Sequence, residues 1–482
     1  MKGITKTSRS SAGGYSGAEG SAASKATGLL IEAGLIALIA FTPFAFGSVE
    51  LWAYTVMELA ALLLIALWLI KTIMFEGEFQ LSFTPLNISI LIFFALVLFQ
   101  LAALPGSLLK LLSPGAAEVG SAANSLLENG GSSGTLSLKP YATRTELFKL
   151  LSSAGVFFLI TGFVTGKRQR VRLLTAIALV GFLLALFGII QHLTWNGKIF
   201  WVRELTQGGS PFGPFVNKNN FAGYMVLTIP VSLGMLMVSR DRGAKALFGF
   251  MAVVMGSALF LSLSRGGMMA FVGGMATLAA LLFFTARERG GGYKKGIFLL
   301  VGFLIPLLLY LLYIGFDPVI ERIATVTEKE TYLREGRWAV WGATIAIIQD
   351  YPLLGAGLDT FEAVFTGYKP IEASRLHWLD AHNDYLQFTA EMGLIGAAVA
   401  LLFFYQFFKK AFYALKESAS ETRGLLIIAM LSSIVGFLIS ITLTFNTRIP
   451  SNALLFAVLL AMVVNLSAPR RKRATERDIV NT

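Results

Sequence analysis

The feature that most restricts the fold of this chain is a series of apolar blocks, each near 20 residues long, separated by short polar segments. A helix of about 20 apolar residues crosses the roughly 30 Å of hydrocarbon in a bilayer. Hydrophobic residues make up 55% of the 482 residues and charged residues only 14%, whereas soluble domains carry about 25% charged residues. A soluble core cannot bury so many blocks of this length. The sequence therefore predicts an all-α, polytopic membrane protein and excludes a soluble enzyme.

The apolar blocks predict about twelve transmembrane helices. They lie at 28–47, 52–74, 86–105, 147–165, 171–193, 219–238, 245–263, 267–286, 296–315, 393–412, 424–445 and 452–468. The fourth is the least apolar, because Glu146 and Lys149 fall in its first turns. No segment repeats with a period of 20 to 50 residues, and the two halves show no similarity.

Basic residues between the blocks predict the orientation. With the N-terminus in the cytoplasm, the clusters at 167–170, 240–242, 287–295, 409–410 and 470–473 all lie on the cytoplasmic side, where Lys and Arg accumulate in membrane proteins. The net charge of +12 follows from this topology and does not indicate nucleic-acid binding.

The same topology divides the chain into five segments. Residues 1–27 are predicted as a disordered cytoplasmic tail, and 28–315 as nine membrane helices that include a periplasmic loop at 106–146. Residues 316–392 form a large periplasmic loop, 393–468 the last three membrane helices, and 469–482 a basic cytoplasmic tail. Within the loops, the segment that starts at 106 favours an interfacial helix. Residues 337–350 have helical spacing and are followed by a turn at Tyr351-Pro352.

Charged residues at the periplasmic side are candidates for function, because charge at membrane depth is costly. Arg265 stands in SLSRGG between two blocks with almost no loop, and Gly266 and Gly267 allow a close approach of the backbone to a ligand or a neighbouring helix. The other candidate cations are Lys218, Arg203, Arg337 and Arg448. The alternative for each arginine is that its side chain extends to lipid headgroups.

Two acids, Glu32 and Glu58, lie inside the predicted membrane blocks. They indicate either an ion pathway or structural pairing with a cation.

His382 is the candidate general base. Asp380 and Asp384 flank it, and a carboxylate beside a histidine fixes its tautomer and raises its basicity. The alternative is a helix-capping cluster with Asp380 or Asn383 as the N-cap, and both roles are compatible. A metal site formed by His377, Asp380, His382 and Asp384 is a further alternative. No zinc signature, phosphate-binding loop or serine-nucleophile motif is present, and there is no cysteine.

Four ordered motifs resemble those of the O-antigen ligase and polymerase superfamily. HNDYLQFTAEMGLIG (382–396) is similar to its His-Asn signature, and GRWAVWGATIAIIQDYPLLGAGLDTF (336–361) is similar to its helix and Pro-Leu-x-Gly-x-Gly turn. SLSRGGMMAFVGG (262–274) and PFVNKNNFAGYM (214–225) resemble its other two blocks. The resemblance spans about 200–470. At Lys218 the chain departs from the Asn-His pattern that is common in the corresponding block.

The resemblance implies a metal-independent, inverting glycosyltransferase of the GT-C type without a cofactor. Its donor would be a glycan on undecaprenyl diphosphate and its acceptor a sugar hydroxyl, at the periplasmic face of the bacterial inner membrane, in O-antigen or surface polysaccharide synthesis. His382 would be the base or the residue that orients the acceptor, and Arg265 would bind the donor diphosphate. Lys218 lies in the corresponding donor block, and position and charge add Arg203, Arg337 and Arg448.

Two questions of function stay open in the sequence. A ligase joins the glycan to lipid A–core, whereas a polymerase joins it to another lipid-linked repeat. The long 106–146 loop favours the polymerase, for which a chain-length regulator is a possible partner besides membrane lipids. The alternative from another class is a transporter or flippase of lipid-linked glycan, which predicts matching halves and discontinuous helices around a midplane site.

Overall fold

The computed structural model describes residues 13–76, 84–126, 133–205, 209–314, 336–369, 378–418 and 420–468. These residues contain sixteen α-helices and one pair of two-residue strands, β1 (Leu104–Pro105) and β2 (Ser133–Gly134), which pair antiparallel. The helices are α1 (Gly13–Phe44), α2 (Leu51–Lys71), α3 (Pro85–Leu101), α4 (Gly106–Leu112), α5 (Pro114–Leu126), α6 (Pro140–Phe163), α7 (Lys167–Leu193), α8 (Lys218–Val238), α9 (Arg242–Leu261), α10 (Arg265–Arg289), α11 (Gly292–Ile314), α12 (Arg337–Asp350), α13 (Phe361–Tyr368), α14 (Asp384–Lys416), α15 (Glu421–Ser440) and α16 (Pro450–Ser467).

The chain is an all-α polytopic membrane protein. Among the described residues, eleven helices are long and apolar enough to cross a bilayer, and α3 adds a shorter apolar helix of 17 residues at the third predicted block. Each of the twelve predicted blocks thus falls on an apolar helix. The first helix begins at Gly13, so residues 13–27, which were predicted to be part of a disordered tail, are helical. Their alanines favour helix.

The centre of the helix bundle is α8, packed against α10 and α15. Almost every residue of α8 is buried. On α10, Gly274 lies against the backbone of α15, where an added Cβ would come within 3.2 Å of the Ser432 carbonyl oxygen and 3.5 Å of Gly436 Cα. Small residues of this kind allow membrane helices to approach closely. This packing places the first turns of α8 and α10 side by side.

The acid predicted inside the first membrane block has a cationic partner. Glu32 on α1 accepts hydrogen bonds from Nε and Nη2 of Arg172 on α7, the latter at 2.6 Å. Pairing with a cation, one of the two predicted alternatives, is therefore confirmed at Glu32.

A second, smaller core lies outside the bundle. It joins Leu109 of α4, Leu136, Val340 and Ile347 of α12, and Phe361 of α13. Helix α4 occupies the predicted interfacial segment, and α12 runs over the residues predicted for it. The two long loops therefore fold together around this outer core.

The outer core is locked to the bundle at a break in α14. Gly393 has φ +66° and ψ −177°, which interrupts the helix. The turn at 352–357 fills the break: the Leu394 amide donates to the Pro352 carbonyl at 2.8 Å, and the Gly357 amide donates to the Glu391 carbonyl at 3.0 Å. Gly355 has φ +71°, and a side chain there would overlap the Glu391 carbonyl. Only glycine adopts both the conformation and the approach at little cost.

Candidate active site

The candidate residues gather at one membrane face, where α8, α10 and α14 begin; we call it the site face. The connection between α15 and α16, residues 441–449, crosses the same face. The basic clusters predicted to be cytoplasmic lie at the opposite helix ends, for example at the starts of α7 and α9.

His382 lies immediately before α14 in a left-handed backbone conformation, with φ +54°. Such a conformation is uncommon for a residue other than glycine and is found where the surroundings enforce it. The ring packs edge-on against Trp378 and Phe445, with centroid separations of 5.5 and 5.0 Å. Its Nδ1 is buried and has no hydrogen-bond partner within the described chain. Burial, and then the positive charge of Arg337, lower the pKa of His382 to about 4, so the imidazole is neutral at physiological pH.

The two flanking carboxylates do not support His382 in the way that the sequence predicted. Asp380 accepts a hydrogen bond from Gln387 Nε2 at 3.0 Å, and Asp384 accepts one from the Thr447 amide at 2.9 Å. Neither bonds to Nδ1, and the pKa of His382 is lowered rather than raised. The reason is geometric: tertiary packing gives each carboxylate a donor on another part of the chain, Gln387 on α14 and Thr447 in the 441–449 connection. Burial raises the pKa of Asp380 to about 6.

Asn383 is the N-cap of α14. Its Oδ1 accepts from the amides of Tyr385 and Leu386, both at 3.1 Å. A side-chain acceptor at this position satisfies amides that have no partner in the helix. The predicted capping role is confirmed for Asn383.

Arg337 is brought close to His382 by the packing of α12 on the segment before α14. Trp341, one turn after Arg337, donates from Nε1 to the Ala381 carbonyl at 3.0 Å. The charge of Arg337 acts directly on the pKa of His382. The hydrogen bond from Trp341 and this charge effect place the cation and the imidazole, predicted from separate motifs, in the same region of the structure.

Lys218 and Arg265 are the first residues of α8 and α10, and these two helices begin side by side. Ser264, the N-cap of α10, donates to Asn219 Oδ1 at 2.7 Å and accepts from the Gly267 amide at 3.2 Å. A Cβ on Gly267 would overlap the Cβ of Ala222 on α8, which confirms the predicted close approach as one between helices. Two helix N-termini, each with a partial positive charge and a cation at its first position, form an environment that favours an anion.

Residues 441–449 link the paired helix starts to His382. Gly266 lies against Leu443 and Thr444, where an added Cβ would be 3.5 and 3.4 Å away. The next residue, Phe445, contacts the imidazole. On the other side, the Asp384 amide donates to the Ile441 carbonyl at 2.9 Å. One short connection thus touches both the start of α10, at Gly266 next to Arg265, and His382 just before α14.

Arg448 is engaged by a buried cluster of carboxylates. It bonds to Glu391 and lies 3.4 Å from Asp359 and 3.9 Å from Glu146, which itself pairs with Lys149 at 2.5 Å. Burial opposes the charge of Arg448, but these carboxylates outweigh it and raise its pKa well above the usual value. Burial also raises the pKa of Asp359 to about 6. Arg448, which was predicted to bind the donor, therefore has partners within the protein. The same cluster explains why Glu146 and Lys149 interrupt the apolar residues of the fourth predicted span.

Arg203 also has a carboxylate partner. It pairs with Glu50, which precedes α2, and its guanidinium lies 4.2 Å from the ring centroid of Phe46. Among the described contacts, none joins Arg203 to His382.

Sequence reasoning missed Gln387 and Glu391. Both are about 1% exposed although polar. Gln387 Oε1 accepts from the Ala381 amide at 2.9 Å, and its Nε2 donates to Asp380 and, at 3.2 Å, to Glu391. Their spacing of four residues on one face of α14 was a signal, because polar residues on the buried side of an amphipathic helix need partners.

The described residues contain no group of three or more histidine and carboxylate side chains that could hold a metal ion. His377, one of the four ligands considered for a metal site, lies outside the described residues.

Comparison with family models finds a match for the part of the chain that contains these residues. The Wzy_C family model, described as O-antigen ligase, matches residues 250–401. The match includes Arg265, Arg337 and His382, and supports the O-antigen ligase and polymerase superfamily. No curated protein matches the chain.

Proposed function

We propose that this protein, which carries an O-antigen ligase domain at residues 250–401, transfers glycan from undecaprenyl diphosphate to a sugar hydroxyl. O-antigen ligase or polymerase-type glycan transfer is the activity that the family match supports in general. The site face would be the periplasmic face of the inner membrane, with both termini in the cytoplasm. The observation that carries the proposal is that one connection, 441–449, contacts Gly266 at the start of α10, next to Arg265, and also contacts His382.

The donor diphosphate would bind where α8 and α10 begin. Its charges would meet Arg265, Lys218 and the helix N-termini, at the depth where the headgroup of a membrane-anchored lipid lies. As the bond between the sugar carbon and the phosphate oxygen breaks, negative charge grows on the departing diphosphate. Fixed cations that face this charge lower the barrier without rearrangement. Arg337 would complete this set on the side of His382.

The acceptor hydroxyl would attack the anomeric carbon from the side opposite the diphosphate, which inverts its configuration. Its proton would pass to His382, whose imidazole is neutral because its pKa is lowered to about 4. Such a low pKa makes the free base weak. A bound diphosphate would offset the charge of Arg337 and raise the basicity of His382 when the donor is in place. No metal or cofactor has a role in this scheme.

Between the two acceptors, we favour another lipid-linked repeat, hence a polymerase. The 106–146 loop forms α4, α5 and part of the outer core and would supply an acceptor surface beside α12.

The transporter alternative predicted discontinuous helices around a midplane cavity. The break in α14 at Gly393 is instead filled by the turn at 352–357, and this favours the enzyme.

Reconstituted transfer in proteoliposomes with a lipid-linked donor tests the proposal. His382→Ala should abolish transfer and keep donor binding, because the base is lost and the cations remain. His192→Ala is the matched control, since this exposed histidine at the end of α7 packs on Phe212; it should transfer normally. Near-normal transfer by His382→Ala would contradict the assignment of the base.

A further inference from the structure

The left-handed conformation of His382 needs a restraint, and a buried side-chain amide holds the residues that precede it. A non-glycine residue with φ +54° is about 1 kcal/mol or more above its preferred conformations. The caps of α14 begin only after His382, at Asn383. The peptide that precedes His382 must therefore be held from elsewhere.

Gln387 holds the two residues before His382 with both ends of its side chain. Its Oε1 accepts from the Ala381 amide at 2.9 Å, and its Nε2 donates to the Asp380 carboxylate at 3.0 Å. Trp341 holds the carbonyl of the same residue, Ala381, from α12 at 3.0 Å. Both polar groups of the residue before the imidazole thus have fixed partners.

Gln387 is itself anchored to the charge cluster. Its Nε2 also donates to Glu391 Oε1 at 3.2 Å, and the other oxygen of Glu391 bonds to Arg448 and accepts from the Asp359 amide at 2.9 Å. A chain of contacts therefore runs from Arg448 through Glu391 and Gln387 to the residue before His382. A buried amide with every partner in place has one orientation, which makes it a rigid support.

We propose that Gln387 is a positioning residue that fixes the imidazole of His382 for glycan transfer, with the Glu391–Arg448 pair as its anchor. The expected effect of Gln387 on transfer rests on the proposed function. The expected effect of Gln387 on the accessibility of His382 is independent of that function.

The first test is kinetic and uses two leucine substitutions in one helix. Gln387→Leu should lower kcat by about 10- to 100-fold, as expected when a reacting group is misplaced by about 1 Å, and leave the donor KM within about twofold of wild type. Gln406→Leu is the control, because Gln406 lies on α14 far from the site and bonds to Ser89; it should retain wild-type kcat. Wild-type kcat in Gln387→Leu would overturn the proposal.

The second test uses Gln387→Glu and remains informative if the leucine variant does not fold. A protonated carboxyl can still accept from the Ala381 amide and donate one proton to a neighbour, whereas an ionised one repels Asp380 and Glu391. Arg448 bonds to Glu391 and lies near Asp359 and Glu146, and Glu146 pairs with Lys149. These charges also act on the new carboxyl. The activity of Gln387→Glu relative to wild type should therefore be higher at pH 6 than at pH 8. A constant ratio would contradict a positioning role.

A chemical readout separates this inference from the proposed function. Diethyl pyrocarbonate modifies neutral imidazoles, and mass spectrometry after chymotryptic digestion resolves the three histidines. With the exposed His192 as internal reference, the modification rate of His382 should rise several-fold in Gln387→Leu and stay unchanged in Gln406→Leu. An unchanged rate in Gln387→Leu would refute the support, whether or not the protein transfers glycan. Absence of transfer by wild type, with the expected labelling, would refute only the proposed function.

Discussion

Replacing Arg448 tests whether this cation supports the protein or binds the donor. The side chain of Arg448 is 12% exposed and meets Glu391, which is 1% exposed, and Glu146, which is 7% exposed. At 3.9 Å, the attraction to Glu146 alone is about 4 kcal/mol with an effective dielectric constant near 20, before desolvation is subtracted. Arg448→Met leaves three carboxylates around a single cation, Lys149. Breaking a buried pair of this kind costs about 3–5 kcal/mol.

The measurement is the free energy of unfolding in mixed micelles titrated with SDS. Arg448→Met should lose about 3–5 kcal/mol. The double variant Arg448→Met/Glu391→Gln should lose less than the two single variants together, because the neutral amide no longer needs the cation. Lys409→Met, which removes an exposed cation on α14, is the control and should change the free energy by less than about 0.5 kcal/mol. Wild-type stability in Arg448→Met combined with weaker donor binding would refute the structural role.

Three further predictions concern the transfer reaction. Because the pKa of His382 is lowered to about 4, kcat/KM should stay level from pH 8 to about pH 5 and fall about tenfold per unit below pH 4 as the base is protonated; a decline that starts near pH 7 would contradict this base. Arg265→Lys should raise the donor KM although the charge is kept, because an ammonium lacks the planar fork that grips a phosphate with two hydrogen bonds; an unchanged KM would remove Arg265 from the diphosphate site. EDTA should leave the rate unchanged, and a loss that a divalent ion restores would revive the metal alternative.

Much of the fold was predictable because each helix that crosses a bilayer needs about 20 mostly apolar residues, and such blocks can be recognised in the sequence. Each predicted span falls on an apolar helix, and residues 337–350 form α12 because their spacing is helical and Pro352 follows. The cap at Asn383 was also predictable, since it depends on residues within three positions. These features are local, and local patterns are visible in a single sequence.

The partners of the charged residues were not predictable, because they lie far apart in the chain. Arg448 meets Glu146 and Glu391, and Arg203 meets Glu50; nothing local pairs them. The same limit explains the error at His382, where sequence proximity suggested a bond to Asp380 or Asp384 and tertiary packing gave both carboxylates other donors. The motif indicated His382 as the candidate base, and only the fold shows what surrounds it.

The most direct test is a cryo-electron microscopy map of the protein in nanodiscs with a lipid-linked donor bound. We expect the diphosphate between the first turns of α8 and α10, in contact with Arg265 and Lys218, and the first sugar directed toward His382. A diphosphate bound at the opposite membrane face, or a sugar that lies away from the imidazole, would contradict the account.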